Sequence, residues 1–166
     1  MSSLALAHPI RPLDPLPDDT SAPQPATGLT LMRAIIDGTL PPPAFAQLLR
    51  LRAIEAEVGR MVFGLEPRAE LLNPMGTLHG GVIATLLDTA MGTALHTTLP
   101  VTTGYTTLQL NVHYLRAPRL GDPLLHAIGQ VVHRGRRTAT AEARLVRSDD
   151  GTLLAHATSH LLILDP

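Results

Sequence analysis

One segment constrains this chain more than any other: Val82 to His96, a long and mostly apolar run that contains no proline. It exceeds the length of an ordinary strand, so length and composition together predict a helix. Val82, Ile83, Ala84, Leu86, Leu87, Ala90, Met91, Ala94 and Leu95 cover most of its circumference, which demands burial on nearly every side. The exceptions, Thr85, Asp88, Thr89, Gly92, Thr93 and His96, fall at i, i+3, i+4, i+7, i+8 and i+11. That spacing gathers them into a single stripe.

The make-up of the stripe argues against a solvated face. Such a face carries Lys, Glu or Arg, whereas Asp88 is the only charged residue between Val82 and Leu95, and Asp is a poor mid-helix residue. The stripe therefore predicts a lined cleft. Gly92, one turn beyond Asp88, costs about 1 kcal/mol of helix propensity relative to Ala, which implies close approach by another backbone or a ligand.

Strands flank this helix in the sequence. Arg50 to Glu66 reads as two extended segments meeting near Gly59. Leu108, Leu110, Val112 and Tyr114 alternate with Thr107, Gln109, Asn111 and His113, the pattern of a half-buried strand with those four apolar residues inward. Leu124–His133, Thr138–Val146 and Leu153–Leu164 follow, separated by Arg134–Gly135 and Asp149–Asp150–Gly151, so the C-terminal half is expected to be an antiparallel meander. One helix for about six strands, apolar almost all round, predicts an α+β hotdog fold: a curved antiparallel sheet wrapped round a central helix.

Upstream of residue 50 the signals change. Prolines at 9, 12, 15, 17, 23 and 25 oppose both helix and sheet, so residues 1–28 are expected to be a disordered or draped arm. Leu29 to Ile36 is helix-compatible, Gly38 and Pro41–Pro43 stop it, and Ala44 to Leu49 suits another short helical turn. Residues 29–49 thus form helical pieces lying across a domain that occupies residues 50–166.

Composition narrows the function classes. Thirteen basic residues against fourteen acidic give a net charge of −1, without the electrostatic footprint of a nucleic-acid or anionic-membrane binder. Two Phe, two Tyr and no Trp leave little for stacking on bases. The absence of cysteine removes thiolate nucleophiles and disulfides and fits a reducing cytoplasm, the expected location. Leu4 to Ala7 is a short apolar run with no basic residues before it, so neither export nor a membrane span is expected. His156 and His160 share a strand face but lack a third ligand at recognisable spacing, and no metal site is expected.

The motif that carries chemistry is Asn73–Pro74–Met75–Gly76–Thr77–Leu78–His79–Gly80–Gly81, which opens the helix and is followed by Asp88. Gly80 and Gly81 leave the helix's first N–H groups unshielded, so a ligand carbonyl or anion could reach backbone donors at the positive end of the helix dipole. An Asn before a Pro is also a common turn initiator. This constellation resembles the PaaI-like hotdog thioesterase family. Pro43, Leu48–Leu49, Thr106 to Arg116, His133–Arg134–Gly135–Arg136 and Ala155 to His160 are also similar to family segments, and the resemblance covers about Gly38 to Leu164.

The resemblance implies an acyl-CoA thioesterase acting on a small aromatic or short- to medium-chain acyl group, with coenzyme A as part of the substrate and no further cofactor. It implies that Asp88 is the catalytic carboxylate, as nucleophile or as general base. Asn73 would supply an amide near the attacking water or carbonyl, Gly80 and Gly81 the oxyanion donors, and His79 a loop-holding group beside the site. It also implies a homodimer, or a tetramer made of two hotdog dimers, in which Asp88 of one chain faces Gly80 and Asn73 of the other. In related enzymes a hydroxyl residue follows the carboxylate by one turn; here that position is Gly92, with Thr89 and Thr93 beside it.

Arg134, Arg136 and Arg137 are the densest basic group available for coenzyme A phosphates, or simply a solvated turn. Acyl selectivity is expected from pocket residues contributed across the subunit interface, including Leu48, Leu49, Met75 and Met91. Two other readings stand beside the thioesterase: a hotdog hydratase or dehydratase, which would use a His base, and a non-catalytic acyl-CoA-binding protein.

Overall fold

A computed structural model describes residues 25–164. The arm expected over residues 1–28 lies outside the described residues up to residue 24. At its end Thr27 caps helix α1 (Gly28–Ile36), its side chain accepting from the Thr30 N–H while Thr30 reaches back to the cap. Two orphan donors of the first turn are thereby satisfied. Helix α2 (Ala44–Leu49) follows the three prolines and ends at Arg50, which adopts a left-handed conformation.

Six strands form one antiparallel sheet: β1 (Arg52–Glu57), β2 (Arg60–Leu65), β3 (Tyr105–Tyr114), β4 (Leu125–Arg134), β5 (Thr138–Arg147) and β6 (Leu153–Ile163). Their spatial order is β1-β2-β4-β5-β6-β3. Helix α3 (Gly80–His96) lies between β2 and β3 in sequence and touches β2, β3, β4, β5 and β6. Strands lie about 4.8 Å apart and a helix is about 10 Å wide, so five strands reach one helix only if the sheet curls around it. This is the hotdog arrangement.

The meander expected for the C-terminal half is correct for β4, β5 and β6 but not for β3. That strand pairs with β6, from Tyr105↔Ile163 to Tyr114↔Ala155, and forms one edge of the sheet. Alternation along a strand decides which side chains face the core. It carries no information about which neighbour the strand joins, and here β4 takes its place between β2 and β5.

Strand β3 also departs from strict alternation. Its register against β6 shifts between Thr107 and Gln109, a bulge that inserts one residue and reverses the inward and outward sequence beyond it. Leu108, expected inward, is 59% exposed. Tyr105 and Thr107 before the bulge now share a face with Leu110 and Val112 after it, all four partly buried. Tyr114 stays exposed at the strand end and reaches the start of α3, where its hydroxyl donates to the Gly80 carbonyl at 2.9 Å.

The core compensates for its shortage of aromatic residues by close approach. Inward positions of the sheet hold Ala127, Ala141, Ala143, Ala155 and Ala157, all fully buried, against Leu86, Leu87, Ala90, Met91, Ala94 and Leu95 of α3. A side chain at Gly129 on β4 would collide with the Ala90 carbonyl. Small residues on the sheet therefore let the helix settle deep enough for its leucines to be enclosed, and each enclosed leucine contributes about 1.5–3 kcal/mol.

Candidate active site

The stripe on α3 faces a cavity of about 500 Å³, and all six of its residues line it. Thr107 and Tyr105 of β3 form one flank; Met32 of α1, Phe45 and Ala46 of α2, Ala53 of β1 and Phe63 of β2 form the other. The helix is therefore enclosed by the sheet on its apolar side and by a cleft on its polar side. Within one chain, the residues expected to set acyl selectivity across the subunit interface do not line this cavity. Leu48 and Met75 are 78% and 79% exposed, Met91 is sealed in the core, Leu49 packs against that core, and none of the four lines the cavity.

Asp88 sits half-buried on the cavity wall. The Thr107 hydroxyl donates to its Oδ1 at 2.9 Å. The threonines of the stripe do not serve it, because each donates back along its own helix: Thr85 to the Gly81 carbonyl, Thr89 to Thr85 and Thr93 to Thr89. This back-bonding is the usual fate of a helical threonine. Thr107 was not legible in the sequence, since strict alternation assigns it to the outer face; the bulge at Leu108 is what turns it inward.

Gly92 does admit a close neighbour, and the neighbour is Tyr105. A Cβ at this position would lie 2.7 Å from the Tyr105 ring. Burial, and secondarily the negative charge of Asp88, pushes the Tyr105 phenol up to about 12, so it remains a neutral donor. Its ring lies 5.4 Å from that of His96. Burial lowers the His96 imidazole below its ordinary value, opposed by the carbonyl of Val101. Around Asp88 the cleft thus holds neutral polar groups.

At the other end of α3, His79 is the N-cap and its Nδ1 accepts from the Gly81 N–H at 2.9 Å. The Gly81 donor is therefore occupied, while the Gly80 N–H has no partner among the described residues. Of the two donors expected from the glycine pair, Gly80 is the one left for a ligand. Asn73 closes its own loop: Oδ1 accepts from the Met75 and Thr77 N–H groups, and Nδ2 donates to the Thr77 hydroxyl at 2.8 Å. One hydrogen of its amide remains uncommitted.

Gly80 and Asn73 line a second cavity, of about 360 Å³, together with Tyr114 and Arg116. Within one chain they do not share a cavity with Asp88. Eight positions of α3 separate Gly80 from Asp88, about 12 Å along the axis. Arg134, Arg136 and Arg137 are exposed on the turn between β4 and β5 and line neither cavity. Arg116 was missed because a single Arg after a strand carries no distinguishing pattern. Among the described residues, no helix is long and apolar enough to cross a membrane, and no three His, Asp or Glu residues converge as a metal site would require.

Comparison with known proteins gives a consistent set of likenesses. The sequence pattern of the thioesterase superfamily matches residues 75–154. Human acyl-coenzyme A thioesterase 13 is 28% identical over 114 residues, covering 68% of this chain and 80% of that protein. A Halobacterium salinarum protein named as an esterase is 44% identical over 77 residues, covering 45% of this chain; the chain spans 49% of that relative's length. The X-ray structure of a thioesterase superfamily protein is 32% identical, with a TM-score of 0.65, and the match covers 83% of this chain and 98% of that one.

Proposed function

Because the chain belongs to the thioesterase superfamily, we propose that it is an acyl-CoA thioesterase whose acyl group, small aromatic or short to medium in length, lies in the cavity along α3. The observation that carries this reading is Asp88, the only carboxylate among the described residues that line that cavity, with one oxygen held by Thr107 and the other free among the described residues to act. As general base, the free Oδ2 takes a proton from water as the oxygen adds to the thioester carbon. The C–S bond then breaks, and the thiolate leaves and takes up a proton. As nucleophile, the same oxygen attacks the carbon directly, the C–S bond breaks to release the thiolate, which takes up a proton, and water cleaves the resulting anhydride to return the free carboxylate.

Either route develops charge on the thioester oxygen, and a backbone donor in a water-poor cleft stabilises that charge strongly. The Gly80 N–H at the start of α3 is such a donor, but within one chain it opens into a different cavity from Asp88. The site is therefore completed by a second copy, whose Gly80 and Asn73 face the first copy's Asp88. Strand β3, ten residues long and paired on one side only, offers the edge along which two sheets can join. Coenzyme A enters as part of the substrate, and no other cofactor is needed.

A panel of acyl-CoA esters assayed for released thiol tests this function. Turnover of at least one member is expected. Tight binding of acyl-CoA without thiol release would sink the hydrolase reading in favour of a binding protein, and loss of enoyl-CoA absorbance would sink it in favour of a hydratase.

A further inference from the structure

We propose that the α1–α2 segment is the gauge that selects the acyl group, and that it selects an apolar acyl chain in the octanoyl range over short ones. This rests on the thioesterase reading of the same cavity. The superfamily pattern matches residues 75–154, so the segment lies upstream of the stretch that carries the glycine pair and Asp88. Met32 and Ile35 from α1, and Phe45 and Ala46 from α2, form an apolar wall across from Asp88. The catalytic flank, by contrast, is hydroxyls, imidazole and carboxylate.

The size of the cavity favours a longer chain. At about 500 Å³ it lies within the range that encloses whole ligands. An acetyl or butyryl group reaching from Asp88 leaves the far wall without contacts, and unfilled space forfeits the dispersion energy of the side chains lining it. An eight-carbon chain fills more of that volume and meets more of the apolar side chains that line it.

The wall is also pinned, as a gauge must be. Gly28 at the start of α1 lies directly on the His96 carbonyl, where a side chain would collide, and its N–H donates to the Leu99 carbonyl at 3.0 Å. Helix α2 is tied at both ends: Gln47 Nε2 donates to the Pro42 carbonyl at 2.7 Å, and Arg68 donates to the Leu49 carbonyl at 3.1 Å. A wall held in this way discriminates by fit, for which one methylene in an apolar pocket changes kcat/KM by about tenfold or more.

The test compares kcat/KM for octanoyl-CoA and butyryl-CoA in the full chain. The wild type is expected to favour octanoyl-CoA by about tenfold or more. Ala46→Phe, which fills the cavity, and Phe45→Ala, which strips its wall at a half-exposed position that the fold tolerates, are each expected to reduce that ratio by about tenfold. Val58→Ala, exposed on the turn between β1 and β2, should leave the ratio unchanged. A wild type that hydrolyses both esters equally, or a ratio indifferent to Phe45→Ala, would overturn the gauge while leaving the thioesterase reading intact. No turnover of any acyl-CoA by the wild type would overturn both.

Discussion

The Thr107 hydroxyl donates to Asp88 Oδ1 at 2.9 Å because a bulge at Leu108 turns that stretch of β3 toward the helix. A single inserted residue on an edge strand thus fixes the orientation of the carboxylate proposed to do the chemistry, and leaves its second oxygen for water or substrate.

Removing that hydrogen bond should impair turnover more than binding. Thr107→Val keeps the shape and deletes the donor, and a hydrogen bond to a charged group contributes about 1.5–3 kcal/mol, so kcat is expected to fall about tenfold to a hundredfold with KM little changed. Thr107→Ser should retain most of the activity. Steady-state thiol release measures both, and a Thr107→Val enzyme with unaltered kcat would show that Thr107 does not position the carboxylate.

Gly92→Ala tests the packing behind the site. The added methyl meets the Tyr105 ring at 2.7 Å, and overpacking of this kind costs about 1–3 kcal/mol, more than the helix propensity that Ala adds. Thermal unfolding should show a lowered Tm for Gly92→Ala, and the loss should shrink when Tyr105→Leu is added. A raised Tm in the single variant contradicts the contact.

Tyr105 predicts a defined alkaline limb. Its phenol holds its proton up to about pH 12 in the folded chain, whereas an unfolded tyrosine ionises near about pH 10. Between those values the unfolded chain carries fewer protons, so stability is intact below the lower value and falls as pH rises through the window. The chain has two tyrosines, so ultraviolet titration of Tyr114→Phe isolates Tyr105. Tyrosinate appearing near pH 10 in the folded protein would contradict its burial.

The two-copy site predicts complementation. Gly80 is the first residue of α3, where proline is favourable because its missing N–H has no helical partner. Gly80→Pro therefore deletes the proposed oxyanion donor with little effect on folding, and kcat should fall by about a hundredfold to a thousandfold. Mixing Gly80→Pro with Asp88→Asn chains and allowing exchange should restore activity, since half of the sites in a mixed dimer pair an intact Asp88 with an intact Gly80. Mixtures as inactive as their components would place each site within one chain.

What the sequence reveals here follows the range of the forces involved. The six-residue stripe and the breadth of the apolar face are set by helical periodicity, and both were readable from Val82 to His96 before any contact was known. The neighbours of β3 were not, because pairing β3 with β6 is decided by the whole sheet. Thr107 was hidden for the same reason: its face depends on a bulge that no pattern in residues 105–114 announces. The wall formed by Met32, Phe45 and Ala46 escaped notice because short apolar helices before a domain look alike whether they line a cavity or cover a core. His79 was read only as a loop-holding group, and its geometry specifies how: it is the helix cap that occupies Gly81 and leaves Gly80 free.

The most direct test of the central claim is thiol release from octanoyl-CoA by Asp88→Asn, assayed beside the wild type with the oligomeric state of both checked by light scattering. Turnover should fall to the uncatalysed background in a protein of unchanged fold and assembly. An Asp88→Asn chain that hydrolyses the ester at the wild-type rate would remove the carboxylate from the mechanism.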